Sequence, residues 1–126
     1  MRLLLLASAG GAIGAGARYL VHVGVARVLG TSFPWATLTV NVLGCLLMGI
    51  VVELVVLRLD GSPELRTFLA AGILGGFTTF SAFALDVEAL VSRHQHAAAA
   101  IYVAASVGLS ILAFYVGLLL ARAALT

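Results

Sequence analysis

Asn41 places an amide inside the apolar run Thr37-Leu-Thr-Val-Asn-Val-Leu-Gly-Cys45, where a desolvated anion would find a hydrogen-bond donor. Polar side chains surrounded by hydrocarbon are costly and face either a partner or a watery path, so interhelical bonding is the plainer alternative for this residue. Its neighbours by helical spacing are Thr37, Gly44 and Met48, all on one face. A second unusual segment is Gly72-Ile-Leu-Gly-Gly-Phe-Thr-Thr-Phe-Ser-Ala-Phe83. Adjacent glycines followed by two threonines make a poor continuous helix, and the segment predicts a break. Backbone freed at membrane depth must be buried or line a cavity, and unwound carbonyls there are suited to a cation. Beyond the break, Phe80 and Phe83 stand at i, i+3. Aromatic ring edges are electropositive and can meet a small anion without the grip of a full charge. For this span taken alone, ordinary aromatic packing is the plainer account.

Three further groups carry polarity into apolar sequence. Arg18 closes the small-residue run Gly10-Gly-Ala-Ile-Gly-Ala-Gly-Ala-Arg-Tyr19. Gly10 and Gly14, and Ala7, Gly11 and Ala15, recur every fourth residue and permit close helix approach. The Arg18 charge can be met by helix-end carbonyls, a water-filled vestibule or an anion. Tyr102, Ser106 and Ser110 form a stripe at four-residue spacing, which lines a path or bridges helices. His94 and His96 have no third ligand near them and read as a solvated loop. Cys45, the single cysteine, has no intrachain disulfide partner and reads as a packing residue. No phosphate-binding loop or metal-ligand cluster is visible, and neither catalysis nor energy coupling is expected.

The elements that carry these residues follow from composition. The chain is 63% hydrophobic and 10% charged, against about 25% charged in soluble domains; with a mean hydropathy of +1.19, its surface demands lipid. The pI near 9.2 reflects few acids, since the seven basic residues are all Arg and none adjoins another; nucleic-acid binding, which needs grouped phosphate contacts, is excluded. Four stretches reach the length of about 20 residues that spans a bilayer: residues 3–29, 35–57, 67–92 and 97–121. Residues 58–66, with Gly-Ser-Pro, and 93–96 are polar loops. Met1-Arg2 and the run from Leu3 to Ser8 have the look of a secretory leader, but apolar character continues past Arg18 and the expectation is a retained first span. The expected fold is all-α, a single membrane domain over residues 1–126 with the third helix broken mid-membrane. One side of the membrane holds Arg2, Arg58, Arg66 and Arg122, the other Arg27 and Arg93. So weak a bias is compatible with insertion in both orientations.

Taken together, these segments resemble the Fluc (CrcB) family of fluoride channels over nearly the whole chain. The resemblance rests on the run ending in Arg18-Tyr19, on Thr37-Leu-Thr-Val-Asn41-Val-Leu-Gly44, and on Gly75-Gly-Phe-Thr-Thr-Phe-Ser-Ala-Phe83. It implies an antiparallel, dual-topology homodimer in the inner (plasma) membrane, with two pores each built from both chains. It further implies that Asn41, Phe80 and Phe83 contact the anion, that Ser81 supplies a pore-side hydroxyl, and that Tyr102 and Ser106 are fourth-span polar positions. The carbonyls of Gly75 and Thr78 would hold a structural sodium ion on the dimer axis. Where the family commonly reads Phe-Ser-Thr-Phe-Ser, this chain has Phe80-Ser-Ala-Phe-Ala84, so two hydroxyls are missing; Asp86 stands where Glu is common, with Glu88 nearby.

The function that the resemblance implies is passive, selective fluoride export. A small proton-coupled multidrug transporter has a similar size and dimeric form but needs a buried carboxylate in its first span, which holds no Asp or Glu. A non-conducting assembly subunit would use Asn41 and the two phenylalanines for packing only.

Overall fold

The computed structural model describes all 126 residues and is helical throughout. Helix α1 covers Arg2–Leu29 and α2 covers Trp35–Arg58. The third span, Pro63–Ser92, is bent and composite. It starts as α3 (Pro63–Arg66), continues as a π-helical stretch (Thr67–Leu74) and α4 (Gly75–Phe77), and resumes as α5 (Ser81–Ser92). Helix α6 covers His96–Leu125. All four spans are long and apolar enough to cross a membrane. The span ends lie up to four residues outside those expected from hydropathy. At Pro63 the reason is local: Ser62 accepts the Leu65 N–H at 3.3 Å and proline occupies the first helical position, a start signal that extends the helix into polar sequence. The preceding turn uses Asp60 and Gly61 at positive φ.

Glycine decides how the spans meet. Gly10 and Gly14 of α1 are buried against the π-helical stretch. There Gly72 faces Gly10, so that a Cβ on Gly72 would lie 2.9 Å from the Gly10 Cα. On the other side α2 and α6 pack by reciprocal glycines. A Cβ on Gly49 would run into the Phe114 carbonyl, and one on Gly117 into the Leu46 carbonyl. With no hydrophobic drive between helices in lipid, such backbone approach supplies the packing. Gly49→Ala is therefore expected to push α2 and α6 apart at a cost of roughly 1–3 kcal/mol. Gly24→Ala, at a site with open space around it, should be neutral. Thermal unfolding in detergent, followed by size-exclusion chromatography, compares the two.

The buried interior is small. Phe83, Leu90, Ala99 and Tyr102 form its main cluster, between α5 and α6. Large apolar side chains such as Leu4, Leu20, Ile101, Leu112 and Leu119 point outward, the pattern expected when lipid is the solvent. At one end of the bundle the buried carboxylate of Glu53 accepts from Arg122 Nε at 2.9 Å, so α2 and α6 are also tied by charge.

Candidate anion site at the bend of the third span

The bend begins where helical bonding stops. Thr78 still donates its N–H to Leu74 O at 3.0 Å, but its own backbone is extended, with φ −85° and ψ 157°. Two side chains then replace the missing helical turn. The Asn41 amide bonds both backbone groups of Thr79: Nδ2 donates to the carbonyl at 2.9 Å and Oδ1 accepts the N–H at 2.8 Å. Because a backbone N–H only donates and a carbonyl only accepts, this pairing also fixes which way the amide faces. The Thr79 hydroxyl accepts the Ala82 N–H at 3.1 Å, capping the start of α5, and lies 3.3 Å from the Ser81 hydroxyl. Gly44 makes room on α2, since a Cβ there would strike the Thr78 methyl group.

Asn41, Gly75, Thr78, Phe80, Phe83 and Ser106 line one open groove of about 410 Å³. The two phenylalanine rings lie 5.4 Å apart, centroid to centroid, at 61°. Phe83 is 7% exposed and anchored against Tyr102, whereas Phe80 is 77% exposed. No group in the chain donates to the carbonyls of Gly75 or Thr78, and Gly75 lies at the surface. The hydroxyls of Ser106 and Ser110 are buried yet form no hydrogen bond. An unsatisfied buried hydroxyl costs about 1–3 kcal/mol. The residues that line the groove thus carry a spare amide N–H on Asn41 (the second hydrogen of Nδ2), two buried unbonded hydroxyls, two aromatic rings and free carbonyls.

The remaining candidates lie elsewhere. Ser81 turns towards Thr79, outside the residues that line the groove. Tyr102 is fully buried behind it and donates to Asp86 Oδ2 at 3.0 Å. Arg18 lines a separate cleft of about 300 Å³ with Tyr19, His22 and Ala82, and no acid in the chain pairs with it. A wider cleft of about 530 Å³, which shares Ala82 and His22 with that one, is lined by Thr37, Asp86 and Arg93. Sequence reasoning missed Thr79, which together with Asn41 organises the bend; a threonine directly ahead of the apolar run that starts at Phe80 is the signal of a helix cap. It also missed the part of Asp86 as the acceptor for Tyr102, a contact between helices that no spacing reveals.

The family model described as "CrcB-like protein, Camphor Resistance (CrcB)" matches residues 5–118. Among curated proteins, the chain is similar to the "Fluoride-specific ion channel FluC" of Chelativorans sp. (strain BNC1), at 55% identity over 97% of this chain and 98% of the relative. The protein of that name from Rhodospirillum centenum is 52% identical over 98% of each chain. The one from Rhizobium meliloti is 49% identical, again over 98% of each.

Proposed function

Because the chain belongs to the CrcB-like family, a family of ion channels and not of enzymes, we propose that it is a passive, fluoride-selective channel through which the anion leaves the cytoplasm. The observation that carries this reading is the groove at the bend, where Asn41, Phe80, Phe83 and Ser106 converge. Fluoride is small and strongly hydrated, so a path for it must replace water ligands one at a time. The spare N–H of Asn41, the hydroxyls of Ser106 and Ser110 and the ring edges of Phe80 and Phe83 are weak positive partners in series. None is a full charge that would hold the ion too tightly to let it go.

Conduction and pairing of two chains go together. Phe80 and Gly75 are exposed in a single chain, and the Gly75 carbonyl, which no group in the chain bonds, needs a partner at that depth. A second copy laid against this face, in the opposite orientation, would bury both and close the groove into a path, giving two pores per dimer. The carbonyls of Gly75 and Thr78 are of the right chemistry for a hard cation. They, with their counterparts from the second copy, would hold a structural sodium ion. When bound, such an ion would supply fixed positive charge beside the groove that Gly75 and Thr78 line, with no part in any reaction.

Export needs no energy source beyond the membrane. Hydrogen fluoride enters as a neutral weak acid and dissociates in the less acidic cytoplasm. A negative-inside potential then drives the anion out, at about 2.3 kcal/mol per charge per 100 mV. The setting is the inner (plasma) membrane. Expression in a bacterium that lacks its own fluoride exporter should restore growth in fluoride; failure to do so with the protein present in the membrane would count against the reading.

A further inference from the structure

His22 is the titratable side chain that joins the outer cleft to the polar line behind the groove. Its Nδ1 lies 3.1 Å from the Arg18 carbonyl and its Nε2 lies 3.3 Å from the Thr37 hydroxyl. A carbonyl can only accept, so in the neutral ring Nδ1 carries the proton and Nε2 accepts from the Thr37 O–H. Thr37 shares its cleft with Asp86, which accepts from the Tyr102 hydroxyl at 3.0 Å. The Tyr102 ring packs on Phe83, 5.1 Å between centroids, and Phe83 lines the groove. His22, Thr37, Asp86 and Tyr102 thus stand between the cleft and the candidate anion path.

We propose that His22 is a positioning residue for anion entry, and that its protonation turns the Thr37 hydroxyl away from the ring and raises conduction on acidification. This inference rests on the channel reading above. A proton on Nε2 makes that nitrogen a donor to Thr37 Oγ. The Thr37 O–H can then no longer point at the ring and is released into the cleft that Thr37 lines, where it can meet an anion. The same proton adds positive charge to a cleft in which the Asp86 carboxylate otherwise repels an anion. Both effects have one sign and favour fluoride. The charged and titratable groups around His22 are Arg18 and the Tyr19 phenol on its own helix and, across the cleft, Asp86 and Arg93 of α5; α2 contributes the neutral Thr37 and α6 the Tyr102 phenol. Histidine is the side-chain type whose charge ordinarily changes between pH 5 and 8, and comparison with His22→Gln separates it from the other groups of this set.

The test is valinomycin-driven fluoride efflux from proteoliposomes at pH 5.5, 6.5 and 7.5, with the leak of protein-free vesicles subtracted. Wild-type flux should rise about threefold or more from the highest to the lowest pH, as expected for a charge acting across a partly hydrated cleft. His22→Gln, which keeps the hydrogen bonds and cannot take up the proton, should give a flat profile. A flat wild-type profile, or an equal rise in His22→Gln, overturns the inference while leaving the channel reading standing. No flux above the leak at any pH would strike the channel reading itself and this inference with it. Nitrogen-15 NMR of histidine-labelled protein in nanodiscs gives a check that needs no variant: an imidazolium signal from His22 that grows in step with the flux is expected, and a ring that stays neutral while the flux rises overturns the proposal.

Discussion

Asn41→Asp is expected to reduce fluoride flux by a hundredfold or more. A carboxylate about 5 Å from an anion repels it by about 3 kcal/mol at an effective dielectric constant of about 20, which is more than a hundredfold in occupancy. The substitution also acts on the bend. Asp can still accept the Thr79 N–H, but it loses the Nδ2 donor and sets a carboxylate oxygen against the Thr79 carbonyl. The lost bond and the orphaned carbonyl should cost about 1–3 kcal/mol of stability. Flux in liposomes and melting in detergent therefore both fall, flux by far the more. Normal conduction by a folded Asn41→Asp protein would mean that Asn41 braces the bend and does not face the anion.

Phe80→Ile separates the two uses of the aromatic pair. Phe80 is largely exposed in the single chain and leans on Phe83 without filling a core, so isoleucine conserves enough apolar bulk for the protein to fold and assemble. What it lacks is the electropositive ring edge, an interaction of about 0.5–1.5 kcal/mol in aromatic pairs and more against a partly dehydrated ion. Fluoride flux should drop by about tenfold or more, with an unchanged elution volume on size exclusion. Unchanged flux would reduce Phe80 to a packing element and remove the ring edges from the mechanism.

The four spans were legible because a run of about 20 apolar residues is the length that crosses a bilayer and is longer than a soluble core usually demands. The Gly10–Gly14 face was legible because spacing alone puts small residues on one side of a helix. The irregularity of the third span was signalled by Gly75-Gly-Phe-Thr-Thr, and the extended Thr78 falls inside that segment. Composition could not say what replaces the lost helical bonds. The answer is a side chain 38 residues away, because Asn41 and Thr79 meet only when α2 packs against the bend. The choice between the two threonines was hidden for the same reason: Thr79 carries the bonds to Asn41 and Ala82, while the Thr78 hydroxyl merely returns to Leu74 O. Tyr102 was legible as polar at depth, but its bond to Asp86 joins α5 to α6 across a turn whose geometry, with His94 at positive φ, no hydropathy pattern encodes. The π-helical stretch where α1 docks was likewise unreadable, since π-turns have no strong residue signature.

The central claim is that this chain makes a membrane permeable to fluoride and not to chloride. The direct measurement loads liposomes containing the purified protein, in sodium buffer, with potassium fluoride or potassium chloride, adds valinomycin, and follows release with ion-selective electrodes. Rapid fluoride release with chloride release no faster than from protein-free vesicles is the expected result. Equal release of both anions, or none of fluoride from folded protein verified in the membrane, would contradict it.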